Sequence, residues 1–228
     1  MALREDLTAE VRKIFCDSWT EREGRGIPEP KDVGLGNIGV NLDATVLYAD
    51  IDGSTSMVDT KHKQFAAEVY KTYLLCAVRI TKAEGGVVTA YDGDRVMAIF
   101  IGDMKNTTAV RTGMKIKSAV DNIINPLIKD VRKSDLVLRQ VVGIDTSSLM
   151  AAQTGIRGSN DLVWVGRAAN WAAKLSSISE QPYQTIISET VYKLMHNDVK
   201  YSNGVNMWEE RSWKGKTIYR SSWSWKVS

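Results

Sequence analysis

The chain has 228 residues, 43% of them hydrophobic and 25% charged, enough to bury a full core as one domain without disulfide staples. A formal charge of +3 implies no bulk affinity for nucleic acid or for an acidic membrane surface. Cys16 and Cys76 lie far apart without metal-ligand spacing and read as packing residues of a reduced compartment; with no signal-like or membrane-length apolar run, the expectation is a cytoplasmic protein.

Taken in order, residues Leu3 to Trp19 have Leu7, Val11, Ile14 and Phe15 at helical spacing, predicting an amphipathic helix that packs on the body of the domain or on a second subunit. Glu21 to Asn37 is rich in Gly and Pro and reads as a linker. Asp43 to Ser56, DATVLYADIDGSTS, reads as a buried strand (Thr45, Val46, Leu47, Tyr48) ending on Asp50. It then turns through Asp52-Gly53 into a helix capped by Ser54 or Ser56. A helix over Lys63 to Ala83 follows, with Phe65, Val69, Tyr73, Cys76 and Ile80 as its core stripe. The run VVTAYDGDRVMAIF after Gly85-Gly86 predicts two strands joined at Asp92-Gly93, with Asp94 opening the second.

Downstream, the pattern predicts a helix from about Thr107 to Ile124 that Pro126 curtails or kinks, and a strand from Asp135 to Thr146. A short helix at Ala169 to Ser176, a strand at Thr185 to Ser188 and a helix at Glu189 to Met195 come next. Two last strands, Met207 to Trp213 and Thr217 to Ser221, straddle Lys214-Gly215-Lys216. Strands and helices alternate without a long repeat, so the fold class is α/β or α+β. His62 and His196 are isolated and support neither zinc nor a hydrolytic triad.

Two carboxylates stand out. Asp50 ends a buried strand and Asp94 opens another, and two acids at a sheet edge can share a pair of divalent cations. Side chains alternate on a strand, so Tyr48 shares a face with Asp50, while the amides after the turn point toward any nearby phosphate. Each Asp-Gly turn alone would need no such explanation.

The two acids in these settings resemble those of the class III nucleotidyl cyclases. Further segments resemble that family in order: VVGIDTSSLMAAQTG (Val141 to Gly155) its GIHTG strand, VGRAANWAAKLSSIS (Val165 to Ser179) its VGxxVNxAARL segment, and SWKGKTIYR (Ser212 to Arg220) its final hairpin. The resemblance implies an α+β sandwich, a mainly antiparallel sheet with flanking helices, with the catalytic domain over residues 38–228 behind an N-terminal helix and linker over 1–37. It implies two Mg²⁺ or Mn²⁺ ions held by Asp50, Asp94 and the carbonyl of Ile51. Amides from Asp52, Gly53, Ser54 and Thr55 would hold the β- and γ-phosphates, and Lys214 or Lys216 the terminal phosphate. It also implies a homodimer with active sites at the interface, in which the partner supplies Asn170 to orient the ribose. Lys174 stands where the family has an arginine, and lacks its planar fork; either a point charge suffices or Arg167 or Arg95 assists.

The positions at which purine cyclases of this family read the base fall on Ala90 and Val163, neither of which can hydrogen-bond a purine edge. Tyr48 stands where the usual residue is Phe. In these respects the chain resembles the bacterial pyrimidine cyclases of anti-phage defence, with Tyr48 and Arg95 beside a smaller base. The implied reaction converts UTP (or CTP) to 3′,5′-cyclic UMP (or cyclic CMP) and pyrophosphate, the product being read by a separate effector protein. Two alternatives stay open: a purine cyclase with an atypical base pocket, and an inactive nucleotide-binding signalling module.

Overall fold

A computed structural model describes residues 3–156 and 159–227. In chain order the elements are α1 (Leu3–Cys16), β1 (Thr20–Glu23), β2 (Ile38–Asp52), α2 (Ser54–Thr60), α3 (Lys63–Ala83), β3 (Val87–Asp92), β4 (Arg95–Phe100) and α4 (Lys105–Ala119). They continue with α5 (Asn125–Asp130), β5 (Arg139–Ile156), β6 (Ser159–Val165), α6 (Arg167–Ser176), β7 (Thr185–Ser188) and α7 (Glu189–Leu194). The short pair β8 (Tyr201–Ser202) and β9 (Val205–Asn206) and the hairpin β10 (Glu209–Trp213) and β11 (Lys216–Ser221) close the chain.

Two compact units result, one of residues 1–43 and 148–166, the other of residues 44–147 and 167–228. In the smaller unit, β1 runs parallel to the start of β2 and β6 pairs antiparallel with the end of β5, with Val33, Val40 and Ala151 buried at its centre. In the larger unit the strand order is β10-β11-β7-β5-β2-β4-β3. The registered pairs there are antiparallel except β5 with β7, which makes the sheet mixed.

The alternation of strand side chains divides the core of the larger unit between two faces. Leu47, Ala49, Val96, Ala98, Val142, Ile144 and Ile187 pack with α3, α4 and α7. Val141, Ile186 and Ile218 point the other way and pack with Leu175 of α6 and with Trp171 and Trp213. Among the described residues no helix is long and apolar enough to cross a membrane.

Several local expectations are corrected. Pro126 does not end its helix: it sits in the first turn of α5, where no amide hydrogen is needed, after a π-helical stretch over Val120–Ile124 that adjusts the ladder. Residues 21–37 are not a plain linker, since Glu21 to Glu23 belong to β1 and Pro30–Asp32 form a 3₁₀ turn. The strand expected over Asp135 to Thr146 begins at Arg139 and runs to Ile156. No residue of α1 is buried.

Gly143 of β5 allows α6 to approach the sheet. A Cβ there would lie 2.2 Å from the Ala172 carbonyl oxygen and 2.3 Å from the Ser176 nitrogen, both backbone atoms that cannot turn aside. Gly143→Ala is therefore expected to cost about 1–3 kcal/mol or more, seen as a melting temperature lower by several degrees; an unchanged midpoint would show that α6 is free to lift from β5.

Candidate active site

Strand pairing creates the first cluster. Ala49 stands opposite Val96 and Tyr48 opposite Met97, which brings the end of β2 against the β3–β4 turn and so Asp50 into the field of Asp94. Burial, and then the charge of Asp94, push the Asp50 carboxyl up to about 6, with the Arg95 guanidinium pulling partly the other way. Asp94 is half-buried and its Oδ2 is buried without a hydrogen-bond partner. The chain thus brings two carboxylates together and leaves them largely uncompensated.

Tyr73 of α3 belongs to the same cluster, although the sequence marks it only as part of a core stripe. It is fully buried, its hydroxyl has no partner, and burial followed by the charges of Asp50 and Asp94 holds its ionisation well above the ordinary tyrosine range. The available sequence signal is a hydroxyl on an otherwise apolar stripe. Tyr48 donates to Met97 Sδ at 3.1 Å and lies under the Arg95 guanidinium, 5.4 Å from its ring centroid, while Arg95 also pairs with Asp92 at 2.7 Å. A bulge between Val88 and Ala90 puts Ala90 opposite Met97, so Tyr48, Met97 and Ala90 share one cross-strand row.

Beyond Asp50 the backbone turns sharply. Ile51 is buried and its amide donates to the Asp50 carboxylate. Gly53, at φ 76°, takes the N-cap position of α2 in the left-handed region, so neither Ser54 nor Ser56 caps the helix as expected. Ser54 is half-buried and Thr55 exposed. The Asp52 carboxylate accepts from Ser179 Oγ at 2.8 Å and from Gln181 Nε2 at 3.4 Å, tying this turn to the loop after α6.

The second cluster lies along α6. Arg167 donates to the buried Asp145 at 3.1 Å and to the Thr146 carbonyl at 2.7 Å, and Ser147 Oγ accepts from the Ala168 amide at 3.0 Å, so the first turn is fastened to β5. Ala168, Ala172 and Leu175 face the core, and Asn170 and Lys174, four residues apart, stand exposed on one side. Lys174 lines a cavity of ≈ 450 Å³ with Ser177, Ser179, Glu180, Trp213 and Lys214. Glu180 is already engaged by Arg220 at 2.7 Å and by Arg211.

Lys214 and Gly215 both have positive φ, 48° and 72°, forming the β10–β11 turn. Lys214 Nζ lies 4.6 Å from the Trp213 ring centroid and Lys216 Nζ 5.9 Å from that of Trp171, the two indoles being 5.4 Å apart. The structure therefore brings Tyr48, Asp50, Asp94 and Arg95 together in one place, and Lys174 and Lys214 in another that neither acid lines. Arg167 and Arg95, expected as possible aids to Lys174, are engaged by Asp145 and by Asp92. Val163 is exposed on β6. Among the described residues no group of three or more His, Cys, Asp or Glu side chains is placed to hold a metal, so any cation at Asp50 and Asp94 needs backbone or ligand oxygens as well.

No protein-family model matches the chain. Two uridylate cyclases, from Xanthomonas perforans and Burkholderia cepacia, are 54% and 52% identical to it over the whole of both chains. A third, from Rhodovulum sp. (strain MB263), is 35% identical over 98% of this chain and 97% of its own. Among solved structures, the guanylyl cyclase Cya2 superposes with a TM-score of 0.69 at 18% identity, covering 82% of this chain and 94% of that one. The adenylyl cyclase CyaB from P. aeruginosa gives 0.67 at 24% identity, covering 80% and 95%. These two share the mixed sheet with flanking helices, and the full-length relatives carry the assignment further: the chain belongs to the uridylate cyclase family of class III nucleotidyl cyclases.

Proposed function

We propose that this nucleotidyl cyclase acts on UTP, forming 3′,5′-cyclic UMP and pyrophosphate, with its catalytic domain in residues 38–228. The observation that carries the chemistry is the uncompensated acid pair. Asp94 Oδ2 is buried without a partner and Asp50 is crowded by a like charge, a donor set that fits divalent cations. Asp50, Asp94 and the Ile51 carbonyl would hold two Mg²⁺ or Mn²⁺ ions, which when bound would supply acidity to the ribose 3′-hydroxyl and neutralise the triphosphate.

The chain's own groups would position the substrate. Backbone amides of Asp52, Gly53, Ser54 and Thr55 would face the β- and γ-phosphates, while Lys214 or Lys216, on the side of Lys174, would hold the terminal one. In a homodimer, Asn170 of the partner subunit orients the ribose and Lys174 of the partner subunit stabilises charge gathering on the α-phosphate. The separation of the two clusters within one chain, and the exposure of Asn170 and Lys174, support such a shared site. The reaction forms a bond from the 3′-oxygen to the α-phosphorus, breaks that to the bridging oxygen, and releases pyrophosphate. Tyr48 and Arg95 would bound the base, and the names of the full-length relatives favour uracil. A role for the product in anti-phage signalling in the cytoplasm, through a separate effector, is supported by the resemblance to bacterial pyrimidine cyclases.

Incubated with Mn²⁺ and equal ATP, GTP, CTP and UTP, the protein should yield cyclic UMP as its main product by mass spectrometry. Dominant cyclic AMP or GMP would discard the account of the base, and no product would discard the activity.

Asp50 also makes a stability prediction. Its folded pKa of about 6 exceeds the ordinary 3.8, so its stabilising share is full below about pH 4 and is lost as pH rises through about 6. In chelator at pH 8, Asp50→Asn should therefore melt above the parent, by about 1–2 kcal/mol once the carboxylate's partial exposure is allowed for. Added Mn²⁺ should raise the parent and leave the variant unmoved. A metal-free variant less stable than the parent would contradict the reading of the acid pair.

Asp50→Ala and Lys174→Ala should each lose activity, the former by about a thousandfold. Unfolded together and refolded, they should recover about one quarter of the parent's activity, since half the dimers are mixed and each has one intact site of two. No recovery would place both clusters' functions within a single chain.

A further inference from the structure

Tyr73 is wholly buried in the middle of α3, and its hydroxyl has no hydrogen-bond partner. Buried phenols ordinarily have one, because an unpaired polar group in the core is costly. The Oδ2 of Asp94 is buried and unpartnered as well. The first is a donor without an acceptor and the second an acceptor without a donor.

Strand alternation puts the two on one side of the sheet. Asp94, just ahead of β4, continues the row of Val96, Ala98 and Phe100, and those three share a core cluster with Tyr73. The chain leaves β2 beside Asp94 and reaches α3 through α2. At its far end the helix lies at Phe100, since a Cβ on Gly86 would meet the side chains of Phe100 and Thr81 at 2.5 and 2.8 Å. Tyr73 is eight residues before Thr81, about 12 Å back toward the Asp94 end. Helical side chains lean toward the start of their helix, which carries the hydroxyl further the same way. Burial, and then the charges of Asp50 and Asp94, hold its ionisation well above the ordinary range, so it keeps the proton a donor needs.

We propose that Tyr73 is a positioning residue for Asp94, its hydroxyl donating to the inward Oδ2 so that the other carboxylate oxygen is held outward for a divalent cation. This rests on the reading of the acid pair as a cation site. A carboxylate with one oxygen committed to a cation needs a partner for the other, and such outer partners orient metal ligands. Ala49, Ile51, Val96 and Ala98 on this side are apolar and offer no side-chain donor, and Arg95 is paired with Asp92. Turning the Asp94 carboxylate to meet the hydroxyl costs little, because its terminal torsion is broad.

The test compares Tyr73→Phe with the parent by melting in chelator and by titration with Mn²⁺ alone, free Mn²⁺ being counted by its EPR signal. The variant keeps the ring and removes an unpaired hydroxyl, so in chelator it should melt no lower than the parent. Its Mn²⁺ affinity should fall about tenfold or more. Val69→Ala, on the same buried stripe, should show the opposite split: a lower melting temperature and the parent's Mn²⁺ affinity. Parental Mn²⁺ binding by Tyr73→Phe, a lower melt of that variant in chelator, or an equal loss of affinity in Val69→Ala would each overturn the proposal and leave the acid pair's role standing. A parent that takes up no Mn²⁺ would overturn the cation site itself, and the proposal with it.

Discussion

The structure depends on holding two like charges close together where water is partly excluded. Asp50 and Asp94 repel, and the chain compensates neither fully: Arg95 pulls on Asp50 from the side but is tied to Asp92, and the Tyr73 hydroxyl lies buried near both without a bond. Such a pair persists only where the backbone around it cannot relax. The frame is the β2–β4 ladder, whose Val46, Leu47, Ala49, Val96, Ala98 and Ile99 are wholly buried. A slip of one residue would turn Leu47 and Ala49 out of the core and move Asp50 away from Asp94 together. Core packing and acid placement are thus one constraint, and the burial that stabilises the sheet is also what raises Asp50.

The second cluster obeys a different logic. α6 is drawn onto β5 by the absence of a side chain at Gly143 and is fastened at its start by Arg167 on Asp145. Asp145 is fully buried, and burial pushes its carboxyl up against the counter-pull of hydrogen bonds from Ser188 and the Thr146 backbone and of the Arg167 charge. With one face packed into the core, the helix has only its outer side for Asn170 and Lys174. A rigid helix that offers a polar pair to solvent is suited to complete another surface more than to close on its own chain. Lys214, held against Trp213 by its flat ring, presents its ammonium to the same cavity as Lys174, where Glu180 is already engaged by two arginines.

What was legible in the sequence followed from periodicity and from short-range chemistry. The α3 stripe marks its helix to the residue, and the hairpin with its Asp-Gly turn was readable because strand alternation and turn residues are local signals. The α+β class and the family followed from several motifs in order. Interactions between distant residues were not legible. Nothing local shows that Tyr73 lies beneath the acids, that Arg167 pairs with a buried Asp145, or that Ser179 holds Asp52 across 127 positions. Pro126 misled because its effect depends on whether it falls in the interior or the first turn of a helix, which the preceding π-helical stretch decides. The strand β1 was missed because it is stabilised by its neighbour, the start of β2.

The exchange of arginine for lysine at position 174 gains meaning from what surrounds it. An arginine grips two phosphate oxygens in a fixed fork, whereas a lysine acts as a mobile point charge. Neither of the arginines that could stand in for it is free, since Arg167 and Arg95 each have a carboxylate of their own. The group that shares its cavity is a second ammonium, Lys214. Two point charges converging on one anion can supply by number what a fork supplies by shape, at the cost of directional control. A site built that way relies more heavily on its other elements to orient the substrate. That burden would fall on Asn170 and on the row of Tyr48, Met97 and Ala90, where a hydroxyl, a thioether and a methyl group leave fewer polar contacts than a purine edge requires.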